Sequence, residues 1–235
     1  MIDKENSDIL IISDEIKELY PEAELGLLAI NHVSNPNQHE GLDKCKIMLE
    51  TDLSVRYSGL DRNDLKNLAP MKSYIEYYKR FKKTYHLLLQ LESVVFKHKS
   101  IPQVASLVEI MFMAELKNLL LTAVHDLDMI ELPIMLDAAK RGEKYIQLSG
   151  QEKSVIHHDM MISDRKGITS SIIYGPDKRT RIRPDTSNVL FVVYAPPGIE
   201  ESSVFQHLQD IEHDVSIISP KKKVELLKVY KMKEE

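Results

Sequence analysis

The sequence has little that could crosslink the chain or anchor it in a membrane. Cys45 is the only cysteine, so the chain forms no internal disulfide and no cysteine-based zinc or iron–sulfur site. The longest uncharged apolar stretch, residues 118–124, is far shorter than the roughly 20 residues of a membrane helix. The first six residues place acids where a signal peptide needs a basic and then an apolar region. These absences predict a cytoplasmic protein with no membrane partner.

An excess of positive charge is also missing. The 31 Lys and Arg residues are outnumbered by 36 Asp and Glu residues, which gives a formal net charge of −5. Binding to nucleic acid through bulk charge is therefore not expected, and no DNA partner is predicted. The composition, 43% hydrophobic and 29% charged, is typical of a folded globular protein.

The first half of the chain is predicted to be mostly helical. A strand is expected at residues 8–12, a helix at 14–19 capped by Ser13, and an apolar strand at 25–30. Helical periodicity begins at Leu42 and continues to about Leu121. The predicted helices include residues 74–81, residues 86–96 and a longer helix after Ile101-Pro102 that begins near Val104.

The second half is predicted to form a mostly antiparallel or mixed sheet. Short apolar runs separated by hairpin-length turns predict strands at residues 134–137, 145–148, 159–163, 168–174, 180–183 and 188–194. A helix at 201–213, a strand at 215–218 and a Lys-rich tail follow. We expect one α+β domain over residues 1–235, with an N-terminal strand and helical part (1–100), a central segment (101–199) and a C-terminal part (200–235).

No complete catalytic motif is present, so residue patterns give only candidates. His157-His158-Asp159 has metal-ligand chemistry, but consecutive side chains on a strand point to opposite faces, and no metal or cofactor is predicted. His125 with Asp126 and Asp128 could perform acid–base chemistry or bind a metal. Capping backbone groups and bracing a loop is the more common role of such residues. Cys45 lies on an apolar helical face, which favours a small buried side chain over a nucleophile.

A basic segment offers a candidate RNA-binding surface. Arg179, Arg181 and Arg183 alternate along the predicted strand 180–183 and its flank, so they are expected to project from one exposed face. Guanidinium groups in that arrangement can bind phosphates or carboxylates, and Tyr174 lies nearby. The alternative is an ordinary solvated surface.

Several short motifs follow one another in a recognisable order: Ile101-Pro102-Gln103, His125-Asp126-Leu127-Asp128, Gly142-Glu143-Lys144-Tyr145, Leu148-Ser149-Gly150-Gln151-Glu152, Met161-Ile162-Ser163-Asp164, Tyr174-Gly175 and Thr186-Ser187-Asn188-Val189-Leu190-Phe191. Together they resemble the B3/B4 region of the phenylalanyl-tRNA synthetase beta subunit, over about residues 101–199. The upstream segment 78–85 suits the free-standing B3/4 proteins. No segment resembles the aminoacylation module, so the chain is not expected to be a complete ligase.

The resemblance implies an α+β domain with a pocket that, in the synthetase, clears tyrosine wrongly esterified to the phenylalanine tRNA. It places His125 and Asp128 at the pocket, close to the junction of the helices and the sheet, and Ser171 and Gly175 on the pocket wall. An acidic residue that recognises the tyrosine hydroxyl in the family aligns with Val192, so the resemblance implies that Val192 points towards the pocket. The family's Thr-Asn pair has no counterpart near Met113 and Ala114, and one wall glycine corresponds to about Ile172.

These matches and departures leave three expectations for function, and the third of them is an interaction module with no chemistry. The first is an RNA-binding domain for the acceptor end of tRNA, with hydrolysis of a mischarged aminoacyl ester as a further activity to be tested. The second is a domain that binds an amino acid or another small molecule without RNA or catalysis. Because Val192 offers no partner for a phenolic hydroxyl, the alignment favours an apolar ligand.

Overall fold

The structure, a computed structural model, describes residues 9–233 and has the α+β fold expected from the sequence. The first strand, β1, covers Leu10–Ile12, whereas Asp8 of the predicted strand lies outside the described residues. Ser13 caps the following helix, α1 (Asp14–Leu19), by accepting a hydrogen bond from the Ile16 N–H at 3.2 Å. Strand β2 (Glu24–Asn31) is buried along almost its whole length.

Five helices follow in the first half of the chain: α2 (Glu40–Arg56), α3 (Arg62–Asn67), α4 (Ala69–Arg80), α5 (His86–Val95) and α6 (Ser106–Asn118). Leu119 ends α6 in the left-handed conformation, at φ 60°, and its N–H donates to the Glu115 carbonyl at 2.7 Å. This cap directs the chain from α6 into the sheet. No helix between residues 9 and 233 is long and apolar enough to cross a bilayer.

The second half contains β3 (Thr122–Asp126), β4 (Ile134–Ala138), β5 (Lys144–Ile146), β6 (Glu152–Ser154), β7 (Met160–Asp164), β8 (Gly167–Ser171), β9 (Gly175–Pro176), β10 (Asn188–Ala195), helix α7 (Glu201–Ile218) and β11 (Lys223–Lys231). In the described chain they form a five-stranded sheet in the order β1-β4-β7-β8-β9, a four-stranded sheet β11-β2-β10-β3 and the hairpin β5-β6. The β1–β4 pair is parallel and the other ladders are antiparallel, so the prediction of a mostly antiparallel or mixed sheet is confirmed.

Two predicted strands are wrong. Residues 180–183 form no strand, because Thr180 folds back onto Asp177: its N–H donates to Asp177 Oδ1 at 2.9 Å and its hydroxyl bonds to the same oxygen. Residues 215–218 belong to α7, and the strand lies further on, at β11. Ile211, Val215 and Ile218 are buried at helical spacing, so burial of this face outweighs the preference of β-branched residues for strands.

Four strands, β3, β6, β9 and β11, overlap none of the predicted ones. Strand β3 is buried throughout, but its last two residues are His125 and Asp126, which resemble the start of a loop in the sequence. Strand β10 supplies its pairing partner, with Leu190 opposite His125. The predicted strand at 168–174 is also shorter than expected, because β8 ends at Ser171 and a turn follows.

Helix α4 fastens the four-stranded sheet through Tyr74. The Tyr74 hydroxyl donates to the Tyr194 carbonyl at 2.5 Å and accepts from the Leu121 N–H at 2.9 Å. Tyr74 is fully buried and its ring stacks on that of Tyr85, with centroids 4.7 Å apart. One side chain therefore satisfies two buried backbone groups on different segments.

The same helix face fastens the five-stranded sheet through Tyr77 and Tyr78. The Tyr77 hydroxyl donates to Asp159 Oδ1 and accepts from the Met160 N–H, both at 2.7 Å. The Tyr78 hydroxyl donates to the Ile172 carbonyl at 2.8 Å. Positions 74, 77 and 78 share one helix face. We call these three residues the tyrosine clamp, because they set the separation of the two larger sheets.

The first prediction concerns the clamp. Replacing Tyr74 by Phe keeps the ring but leaves the Leu121 N–H and the Tyr194 carbonyl without this partner. The free energy of unfolding should fall by about 1–3 kcal/mol, the cost of unsatisfied buried polar groups. Urea denaturation followed by circular dichroism measures the change.

Tyr57→Phe is the matched control, since Tyr57 has a buried ring whose hydroxyl forms no hydrogen bond with residues 9–233. This variant should stay within about 0.5 kcal/mol of the wild type. Equal losses in both variants would contradict the clamp.

Candidate functional site

A cavity of about 370 Å³ lies where α6, the start of β3 and the turn after β8 meet. A volume of this size suits a small ligand or an amino-acid side chain. Most of its wall is apolar, including Met111, Phe112, Leu121, Ile172, Pro176 and Ile182. The wall therefore favours an apolar ligand body, with a few polar groups available to orient it.

The cavity has a buried end and an exposed rim. Glu115, Thr122 and Tyr194 are among its buried wall residues. At the rim, Leu148 is 51% exposed, and Arg181 is also exposed. A ligand consequently meets apolar and neutral groups at depth and a cation at the entrance.

The tyrosine clamp shapes this wall. Leu121 and Tyr194 line the cavity and are held through their backbones by Tyr74. Ile172 lines it as well, and its carbonyl accepts from Tyr78. The clamp thus fixes wall residues that come from three separate parts of the chain.

Two residues predicted at the pocket, Ser171 and Gly175, do line this cavity. The Ser171 Oγ accepts a hydrogen bond from the Tyr174 N–H at 3.2 Å, which closes the turn after β8. Gly175 has φ 74°, and a Cβ there would meet no atom within 4 Å. Its conformation, rather than lack of space, explains the glycine.

His125 lies behind the cavity wall. Its Nδ1 is 2.7 Å from the Thr180 hydroxyl, and its Nε2 is 3.2 Å from the Ser170 hydroxyl. The Ser170 Oγ is 2.6 Å from the hydroxyl of Tyr194, which lines the cavity. The Thr180 hydroxyl donates to Asp177, so it must accept from His125 Nδ1. His125 Nε2 then accepts from the Ser170 hydroxyl, which in turn accepts from the Tyr194 hydroxyl.

This series of hydrogen bonds requires a neutral His125 imidazole, in which Nδ1 donates and Nε2 accepts. The pKa of His125 is lowered to about 3, chiefly by burial and also by the nearby charge of Arg179, while Asp164 opposes the change. His125 is therefore uncharged near neutral pH and orients Ser170 and Tyr194. It lies at the junction of α6 and the sheet, as expected, but does not itself line the cavity.

Asp128 and Val192 also lie outside the cavity wall. Asp128 is exposed and accepts two hydrogen bonds from the Asn188 side chain, at 2.9 and 3.1 Å. Val192 is fully buried in β10, between Leu27 of β2 and Ala123 of β3. Asp126 has the bracing role that the sequence left open, because its carboxylate caps Asp128 and bonds to neighbouring loop residues.

The prediction that Arg179, Arg181 and Arg183 share one exposed face is wrong. Arg179 donates two hydrogen bonds to the Asp164 carboxylate, at 2.8 and 2.9 Å, and a third to the Met129 carbonyl. Arg183 is 3.0 Å from the buried Asp126. Arg181 alone of the three is exposed and lines the cavity. The turn at Thr180 sends the three side chains to different partners.

The remaining candidates have structural partners. Asp159 is buried, and its second oxygen accepts from the Ile173 N–H at 3.1 Å. The His157 ring lies 3.1 Å from the Ala139 carbonyl through Nδ1. Among residues 9–233 no group of three or more His, Cys, Asp or Glu side chains is arranged to hold a metal ion. Burial raises the pKa of Cys45, as does the nearby Asp214, which disfavours a reactive thiolate.

Sequence reasoning missed Glu115, the one acidic side chain on the cavity wall. Burial raises its pKa to about 8, although a hydrogen bond from the Thr122 N–H at 2.8 Å opposes the rise. Its position inside the apolar helical pattern 104–116 was the available signal, because a carboxyl on a buried helix face needs a partner or a function.

The model of the B3/4 domain family matches residues 72–213, which is more than half of the chain and includes every residue of the cavity wall. The chain belongs to the B3/4 domain family. The predicted family membership is therefore confirmed.

One solved structure that matches this B3/4 domain protein is an N-terminal fragment of the phenylalanyl-tRNA synthetase beta subunit from Pyrococcus horikoshii. The two share 13% sequence identity, with a TM-score of 0.49. The match covers 95% of the present chain and 52% of that fragment, so the chain spans about half the fragment's length. No curated protein matches the chain.

The second prediction separates the arginines by function. Arg179→Ala should lower the free energy of unfolding by about 1–3 kcal/mol, because it leaves Asp164 without its ion-pair partner. The loss should be smaller than for a fully buried pair, since the Arg179 side chain is 25% exposed. Thermal or urea unfolding measures it.

Arg181→Ala is the matched control and should change stability by less than about 0.5 kcal/mol. Its guanidinium group bonds only to the neighbouring Lys178 carbonyl, at 2.8 Å, among the described residues. A larger loss for Arg181→Ala than for Arg179→Ala would refute this division of roles.

Proposed function

We propose that this B3/4 domain binds the aminoacylated acceptor end of a tRNA, with the amino-acid side chain in the cavity. The observation that carries the proposal is an apolar cavity of about 370 Å³ whose wall includes the exposed Arg181, a cation that forms no ion pair with residues 9–233. An aminoacyl ester at an RNA 3′ end combines a small side chain with adjacent phosphates. The two parts of the site match these two parts of the ligand.

The cations belong to a surface that we call the basic rim, made of Lys83, Lys153, Lys178 and Arg181. Arg181 lines the cavity and bonds to the Lys178 carbonyl. The ammonium groups of Lys83 and Lys153 lie 5.7 and 4.4 Å from the centroid of the Tyr174 ring, between cavity residues Ile172 and Gly175 in the chain. Within residues 9–233 none of the four forms an ion pair.

Free cations beside an aromatic ring are suited to single-stranded RNA. Lysine and arginine neutralise phosphates, and Tyr174 contacts two of these lysines through cation–π interactions. A local rim of this kind can attract RNA even though the whole chain carries a formal charge of −5. Of the three arginines predicted to bind RNA, this proposal retains Arg181.

Ester hydrolysis is a separate question from binding. It requires a held water molecule and donors that stabilise the oxyanion. The cavity hydroxyls of Thr122 and Tyr194 are already hydrogen-bonded to His207 and Ser170. This arrangement supports binding more directly than it supports catalysis, so deacylation is a second function to be measured.

The alternative is a domain that binds a free amino acid or another small molecule without RNA. Its support is the apolar wall together with the acidic net charge. The two proposals differ in what the basic rim does, because a small neutral ligand in the cavity gains little from Lys83 and Lys153.

The third prediction tests the rim with an RNA hairpin that ends in the single-stranded acceptor sequence and carries an amide-linked amino acid. The double variant Lys178→Ala/Arg181→Ala should bind it more weakly than the wild type. The slope of log affinity against log salt concentration should flatten by roughly 1–2, as expected for the loss of two phosphate contacts. Fluorescence anisotropy over a salt series measures both quantities.

Lys97→Ala/Lys221→Ala is the charge-matched control, since it removes two lysines that neither line the cavity nor belong to the basic rim. It should retain the wild-type salt slope. Equal effects of the two double variants would contradict a role for the rim, and binding of free amino acid but not of RNA would establish the alternative. Release of the amino acid from the corresponding ester-linked RNA decides whether hydrolysis accompanies binding.

A further inference from the structure

A second cleft, of about 450 Å³, lies beside the C-terminal end of α4 and has a wall separate from that of the apolar cavity. Four of its wall residues can carry positive charge: Arg80, Lys82, His157 and His158. Among residues 9–233 no acidic side chain lines this cleft, and none of the four forms an ion pair. A concave surface lined by cations concentrates negatively charged ligands. We call it the basic cleft.

Tyr20 holds two of these residues in place. Its side chain is buried, and its hydroxyl donates to the His158 carbonyl at 2.7 Å. The central carbon of the Arg80 guanidinium group lies 5.6 Å from the centroid of the Tyr20 ring, within cation–π distance. The same ring lies 5.7 Å from that of Tyr77, which belongs to the tyrosine clamp. The basic cleft is therefore anchored on the packed core, and its cations are positioned before a ligand binds.

Two residues of the basic cleft have a backbone conformation that favours glycine. Lys82 has φ 56° and His158 has φ 70°. The Lys82 N–H donates to the Lys79 carbonyl and the Lys83 N–H to the Tyr78 carbonyl, both at 3.0 Å. These bonds form a Schellman motif at the end of α4, in which glycine usually occupies the left-handed position. A long cationic side chain at this position costs stability, and such strain is concentrated at functional sites.

Helix capping explains only part of this cluster. Cations at the C-terminal end of a helix offset its dipole, which accounts for Arg80 and Lys82 up to about half an elementary charge. His157 and His158 come from another segment, just before β7, and their ring centroids are 3.7 Å apart. Two rings that can both become cationic repel each other at this separation, and an anion beside them offsets that repulsion. The cluster as a whole is thus better explained by an anionic ligand than by the end of α4.

We infer that the basic cleft binds a phosphate group, supplied either by an RNA backbone or by a free nucleotide. A phosphate ester presents negative oxygens that a guanidinium group can bind through two parallel hydrogen bonds, and a lysine adds a point charge. The adjacent residue, Lys83, contacts Tyr174 at the basic rim, so an RNA backbone that reaches the rim can continue into the basic cleft. A free nucleotide has the same phosphate chemistry without that continuity. The site is separate from the cavity and goes beyond the proposed function.

The fourth prediction uses three probes: adenosine 5′-monophosphate, adenosine, and a single-stranded oligouridylate that carries no amino acid. The wild-type protein should bind adenosine 5′-monophosphate more tightly than adenosine, or bind the oligouridylate with a salt-dependent affinity. Lys82→Gly should weaken that binding about 3- to 10-fold, and for the RNA should flatten the salt slope by roughly 1. It should also raise the midpoint of thermal unfolding by about 1–4 °C, because glycine relieves the left-handed backbone. Calorimetry and fluorescence anisotropy measure the affinities.

The opposite signs separate a binding role from a structural one, since a lysine that only caps α4 would give the gain in stability with unchanged binding. Arg80→Gln should weaken the same binding without that gain. Lys72→Ala is the charge-matched control, because Lys72 also lies on α4 but lines neither the cavity nor the basic cleft. It should bind as the wild type does.

The probes distinguish the source of the phosphate. A preference for adenosine 5′-monophosphate over adenosine that Lys82→Gly removes assigns the basic cleft to free nucleotides. Binding of the oligouridylate alone, weakened by Lys82→Gly, assigns it to an RNA backbone. If the wild type binds neither phosphate-bearing probe, or if Lys82→Gly and Arg80→Gln bind them as tightly as the wild type, the inference is overturned. The proposed function is tested separately, by the aminoacylated hairpin and the variants of the basic rim.

Discussion

The tyrosine clamp of α4 is the constraint on which the site depends. Tyr74 and Tyr78 hydrogen-bond to the backbone of Leu121, Ile172 and Tyr194, and these three residues line the cavity. Two sheets with separate hydrogen-bond ladders are thereby held at a fixed separation by hydroxyl groups on one helix face. The cavity is the space that this separation leaves beside α6. Its shape is set by buried polar contacts, and its chemistry by the few polar groups that the apolar wall leaves exposed.

Two buried hydrogen-bond networks orient different polar residues of the cavity wall. His125 stays neutral and lies in a chain of hydrogen bonds that orients Tyr194 through Ser170. On another side, Thr122 positions Glu115. His125, the histidine singled out in the sequence, thus lies outside the cavity and influences its wall through Ser170 and Tyr194. Glu115, hidden inside a helical apolar pattern, presents a carboxyl group to the cavity itself.

The fold class and the family could be predicted from the sequence, because short motifs in a fixed order specify the family's scaffold. Contacts distant in sequence could not. Arg179 was assigned to a solvent-facing strand because its partner, Asp164, is separated from it by a hairpin. Glu115 escaped notice because it becomes significant only when α6 meets the turn after β8. The alignment placed the family's acidic position at Val192. Val192 is buried in the four-stranded sheet and does not line the cavity, so its apolar side chain does not determine the polarity of the cavity wall.

The central claim is that the cavity receives the side chain of an aminoacyl group whose nucleoside lies at the basic rim. A crystal structure of the protein with an amide-linked tyrosyl-adenosine analogue tests it most directly. The account predicts the side chain inside the cavity and the ribose towards Arg181. An analogue bound outside the cavity, or bound with its adenosine buried and its side chain in solvent, would contradict the account.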